Sequence, residues 1–125
     1  MKYSYLENYF PAIPVLQVRL AFPEQAFNIG PVNAIVDTGA DGTLIPQTIL
    51  DQLGASLVDQ IRVRSHWGEW RTMKIYTVDI EVANMRLPVV EAAGDPGQEI
   101  ILGRNVLNRL KLVLDSPSKQ TTIVD

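Results

Sequence analysis

Ala34-Ile35-Val36-Asp37-Thr38-Gly39-Ala40-Asp41-Gly42-Thr43-Leu44-Ile45-Pro46 carries an apolar run into one acidic residue, turns on small side chains and becomes apolar again. Ala34 to Val36 reads as a buried strand, so the carboxylate at its end is held by the turn and not solvated at random. Thr38 and Gly39 are small enough for a sharp bend, and glycine takes up positive φ at little cost. Leu44 and Ile45 return the chain to the core. Asp-Thr-Gly by itself is an ordinary turn composition. The apolar flanks on both sides and the Ala-Asp that follows set this one apart.

A second stretch has a related pattern: Ile100-Ile101-Leu102-Gly103-Arg104-Asn105-Val106-Leu107 is an apolar strand ending in glycine, with a polar start to a helical segment. The two stretches together, in this order and at this separation, resemble the retropepsins, the retroviral-type aspartic proteases. The resemblance covers roughly Val15 to Asp125. It implies an all-β, closed-barrel-like protomer with one or two short helices and a flap hairpin. The expected organisation is an N-terminal arm over residues 1–14 and one protease domain over 15–125.

Bulk properties agree with a single compact domain. The chain has 125 residues, 46% of them hydrophobic, which suits one core. A net charge of −3 offers no basic surface for nucleic acid. With no cysteine there is neither a disulfide framework nor a thiolate metal site. One histidine, His66, disfavours a Ser-His-Asp hydrolase and a multi-histidine metal centre, and as part of a polar turn it reads as an exposed residue. No run approaches the roughly 18 apolar residues that span a bilayer, and residues 1–10 do not read as a signal peptide. The expectation is a cytoplasmic protein with no membrane partner and no cofactor.

Residues 1–14 are rich in tyrosine and interrupted by Pro11 and Pro14, which predicts an extended arm. Leu16, Val18, Leu20 and Phe22 alternate with Gln17 and Arg19, a strand with one buried face. Pro46 and Gly54 bracket a predicted helix from Pro46 to Leu53. Residues 61–83 predict a long hairpin with its tip at Ser65-His66-Trp67-Gly68-Glu69, and a change of phase between Ile75 and Tyr76 predicts a bulge there. A strand over Leu87–Ala92, a turn at Gly94-Asp95-Pro96-Gly97, a helix from Arg104 to about Lys111 and a closing hairpin from Leu112 to Val124 complete the chain.

Peptide hydrolysis without metal or covalent nucleophile can run on two carboxylates that share a proton, one as general base toward water and one as general acid toward the carbonyl. This chain holds one Asp-Thr-Gly and is too short for a second lobe. The second carboxylate must then come from another copy, which implies a two-fold homodimer. The resemblance assigns the remaining roles. Asp37 is the catalytic carboxylate, the Thr38 hydroxyl reaches across the axis, and the Gly39 backbone accepts substrate hydrogen bonds. Asp41 contacts the substrate backbone and pairs with Arg104, while Ala40, Gly103 and Arg104 support the site. Trp67 and Gly68 fall at the flap tip over substrate, although this tip has two tryptophans around one glycine where retroviral flaps are glycine-rich. The substrate is an extended polypeptide with apolar side chains at the cut. The alternative is a non-catalytic dimeric module of the same fold that binds peptides or proteins.

Overall fold

The computed structural model describes residues 1–64 and 67–124. The expected tip residues Ser65 and His66 lie outside them. The framework is a six-stranded closed barrel. Strand β2 (Val15–Ala21) pairs with β3 (Ile29–Val36), β3 runs parallel to β8 (Ile100–Leu102), and β8 meets β4 (Thr43–Pro46). Strand β4 runs parallel to β7 (Met85–Asp95), β7 pairs with β6 (Trp70–Val82), and the end of β6 returns to β2. Closure leaves β2 paired on both edges, so it has no free edge to invite foreign strands. Leu16, Val18 and Leu20 of β2 point inward, and Gln17 and Arg19 outward. They meet Ile45, Ile80, Leu102 and Val106 in one apolar core.

Beyond the barrel, β5 (Ser56–Arg64) pairs only with β6 and forms the predicted hairpin. Its register shifts where the phase of the sequence changes: Leu57 opposes Tyr76 and Asp59 opposes Ile75, leaving Val58 as the extra residue. The bulge therefore sits on the facing strand. From Tyr76 onward the even positions of β6 are buried in the barrel, whereas Met73 and Ile75 face a cavity beneath the hairpin. One strand thus serves two apolar surfaces on opposite faces, which is what the change of phase records.

Helix α1 (Gln47–Leu53) follows Pro46 and stops at Gly54, whose φ of 64° gives the left-handed cap that glycine adopts without penalty. The second predicted helix is shorter than expected. Helix α2 spans Arg104–Leu107 only, and Arg109 and Leu110 close on Val106 and Leu107 through tighter three-residue bonds. The reason is tertiary: the chain must turn to enter β9 (Leu112–Asp115), and the Val124 N–H takes the carbonyl of Lys111. Strand β7 is longer than the predicted Leu87–Ala92, because β4 runs beside it as far as Asp95.

The chain ends meet in a separate three-stranded sheet. Strand β1 (Lys2–Ser4) pairs with β10 (Gln120–Ile123), which pairs with β9. The Met1 ammonium donates to the Ile123 carbonyl at 3.0 Å, and buried Tyr5 lies within 3.1 Å of Ser116 Oγ.

Candidate active site

Asp37 stands just past the end of β3, where the parallel ladder to β8 runs out. Its N–H donates to the Leu102 carbonyl at 3.1 Å, so both apolar stretches of the sequence are joined at this residue. The loop then folds back on its own carboxylate. Gly39 N donates to Asp37 Oδ1 at 3.0 Å and Ala40 N to the Asp37 carbonyl at 3.2 Å. Asp37, Thr38 and Gly39 all remain exposed in the single chain. A charge-assisted bond from a backbone N–H orients the carboxylate while leaving its second oxygen for other partners.

The Gly103-Arg104 segment braces this loop from below. Arg104 N donates to the Ala40 carbonyl at 2.8 Å, Arg104 Nη1 donates to the Thr38 carbonyl at 3.1 Å, and Arg104 Nη2 pairs with Asp41 Oδ1. One guanidinium thus ties both ends of the turn, a use of its planar fork that a lysine lacks. Asp41 is otherwise open, with 93% of its side chain exposed. Gly103 is required by proximity: a Cβ there would collide with the backbone of Gly42.

Two further residues belong to this brace and were not singled out from the sequence. Buried Thr43 donates its hydroxyl to Asn105 Oδ1 at 2.8 Å and accepts from Gly103 N at 3.2 Å. Asn105 in turn donates to the Glu91 carbonyl at 2.9 Å, linking the loop to β7. The available signal was a polar Thr43 at the head of an apolar strand and an amide directly after Gly-Arg. A hydroxyl buried without partners is costly, and these partners come from the other motif.

Over the loop stands the β5–β6 hairpin. A cavity of about 400 Å³ lies between them, bounded by Asp41 and Leu44 below and by Ile61, Val63, Met73 and Ile75 above. Trp67 and Gly68 fall in the turn at the far end of the hairpin, away from the lining of this cavity. Trp67 is 88% exposed, and Gly68 has φ of 86° beside the Arg64 guanidinium. On the outer face, Arg62 stacks on Trp70 at 4.8 Å, a cation–π contact that stiffens the hairpin. A larger cavity, about 700 Å³, lies between the terminal sheet and β2 and shares no residue with the Asp37 loop.

Among the described residues no helix is long and apolar enough to cross a membrane. No curated protein sequence matches the chain. Solved structures do. A retropepsin-like aspartic protease from Rickettsia conorii superposes with a TM-score of 0.67 at 14% identity, over 98% of this chain and 88% of that one. The protease of simian foamy virus (mac) aligns with a TM-score of 0.57 at 17% identity, over 75% and 91% of the two chains. EIAV protease, solved with the inhibitor HBY-793, aligns with a TM-score of 0.55 at 23% identity, over 82% and 93%. At these identities the likeness is one of fold. A family model described as "gag-polyprotein putative aspartyl protease" matches residues 24–109, well over half the chain and inclusive of both motifs. With the retropepsin barrel around its Asp-Thr-Gly loop, this chain belongs to that gag-polyprotein aspartyl protease family.

Proposed function

We propose that the protein is an aspartic endopeptidase that works as a homodimer, with Asp37 of each copy sharing one water and one proton. The observation that carries this reading is the state of Asp37: oriented by Gly39 N–H, braced through Arg104, and yet exposed with a single copy per chain. Thr38 beside it is exposed as well, and among the described residues its hydroxyl has no partner within the chain. A two-fold axis at this loop supplies what is missing, a second carboxylate for Asp37 and a second loop for Thr38. Two carboxylates within about 3 Å cannot both ionise, so one stays protonated. The ionised member then takes a proton from water as the water attacks the peptide carbonyl. The protonated member gives its proton to the carbonyl oxygen.

The substrate lies as an extended strand between the loop and the β5–β6 hairpin, with main-chain hydrogen bonds at Gly39 and Asp41 and apolar side chains at the cut. The hairpin, with Trp67 and Gly68 in its turn, acts as the flap that excludes water. The dimeric site is tested by mixing. Adding an excess of Asp37→Asn protein to a fixed amount of wild type produces heterodimers with one carboxylate. Peptidase activity should fall toward zero as exchange proceeds. Activity that stays constant on mixing would mean that each chain works alone.

A further inference from the structure

The cavity under the hairpin has a charge pattern that apolar specificity does not use. Its roof is aliphatic: Ile61, Val63, Met73 and Ile75 share one face of β5 and β6. Two carboxylates lie on the same wall. Asp59 opposes Ile75, Ile75 opposes Ala93, and Glu91 opposes Thr77, so the register brings Asp59 and Glu91 to the face that carries the apolar roof. Both line the cavity, and no lysine or arginine does.

None of the hairpin's described cations lines the cavity. Arg62, Arg64 and Lys74 alternate with the roof residues and occupy the outer face, where Arg62 stacks on Trp70. Arg71 shares the roof face, opposite Val63 nearer the turn, but does not line the cavity. Arg104 is spent on Asp41. Among the described residues Asp59 and Glu91 have no ion-pair partner, and Asp59 accepts only from its neighbour Gln60 N at 2.8 Å. An aliphatic roof flanked on β5 and β7 by two carboxylates without ion-pair partners matches a long side chain with a methylene stem and a cationic head.

We propose that this cavity is a specificity pocket for a lysine or arginine side chain of the substrate, with the stem against Ile61, Met73 and Ile75 and the head taken by Asp59 and Glu91. The proposal rests on the proteolytic reading and refines it. The pocket adjoins Asp41, not Asp37 itself, so it reads a residue flanking the scissile bond. Apolar side chains remain at the cut.

The test uses sets of peptides that differ at one flanking position per set, each flanking position in turn carrying lysine, arginine, norleucine or glutamate. Wild type should cleave the lysine and arginine peptides with kcat/KM about fivefold above norleucine, as expected of partly solvated charge pairs, and the ratio should shrink as salt rises. In Asp59→Asn/Glu91→Gln protein the ratio should drop to about one, while Asp59→Glu/Glu91→Asp should keep a preference for the cation. Norleucine equal to or above lysine at every position in wild type, or a preference that survives the double amide change, overturns the proposal. Should wild type cleave none of the peptides, the proteolytic reading fails separately. Fluorescence anisotropy on Asp37→Asn protein then decides the pocket: about fivefold tighter binding of the lysine peptide supports it, and equal affinity or no binding overturns it.

Discussion

At Gly103 and Arg104 the fold and the proposed chemistry meet. Gly103 passes so close to Gly42 that an added methyl has no room, and the atoms it would meet are all Gly42 backbone that cannot swing away. Gly103→Ala should therefore cost about 3 kcal/mol of stability, at the upper end of overpacking effects, read as a lower urea midpoint. An unchanged midpoint would contradict the close approach. Arg104 is a different case. Its side chain is 44% exposed, so its contribution to stability is small, but it joins the Thr38 carbonyl and the Asp41 carboxylate at once. Arg104→Lys cannot span both. The expected result is a change in stability under about 1 kcal/mol with a fall in kcat/KM of about tenfold or more, because loop placement is where catalytic geometry is most sensitive. Equal losses in both would make Arg104 a structural residue alone.

Among the elements, the outer end of the barrel is fastened by one buried carboxylate. Asp79 of β6 is 1% exposed and accepts from Glu24 N at 2.9 Å, Val89 N at 2.8 Å and Arg86 Nη1 at 2.5 Å. Both backbone donors have positive φ, 69° at Glu24 and 49° at Val89, and for a β-branched valine that conformation is held only by its surroundings. Burial pushes the Asp79 carboxyl up. The two N–H groups and Arg86 outweigh it and hold the group below the ordinary carboxylate value. A depressed folded value means that its stabilisation is complete above the unfolded pKa, 3.8 for an ordinary aspartate, and is lost as pH falls from there through the folded value. Asp79→Ala, which leaves the donors unmet, should cost about 3 kcal/mol at neutral pH. Urea midpoints measured from neutral pH down to about 2.5 should fall for wild type below the unfolded pKa and much less for the variant; parallel curves over that range would mean that Asp79 does not carry the acid loss.

The same elements show what was legible in the sequence. Strands β2, β3 and β8, helix α1 and the closing hairpin are local: alternation, Pro46 and Gly54 specify them without reference to the rest of the chain. The ends of α2 and β7 depend on neighbours, the turn into β9 and the parallel run of β4, and local periodicity cannot report these. The placement of Asp37 at the mouth of a turn was readable from its flanks. The Thr43–Asn105 brace was not, because a threonine in a strand has no local mark of a partner in a distant segment.

For the whole molecule, the barrel closes on its own six strands and β1 pairs with β10 in a small separate sheet, while the proposed site is half of one. The proposed dimer would supply the other half. It also makes the aspartic mechanism simple to test. Wild type and Asp37→Asn should be compared side by side on a diverse peptide library from mildly acidic to neutral pH, with cleavage products read by mass spectrometry. Cleavage by wild type that disappears in Asp37→Asn protein of unchanged fold and dimer content is the predicted result. Cleavage that persists in the variant, or none from a wild-type protein shown to be dimeric, would contradict the aspartic mechanism, and the second outcome would leave a peptide-binding module of the same fold.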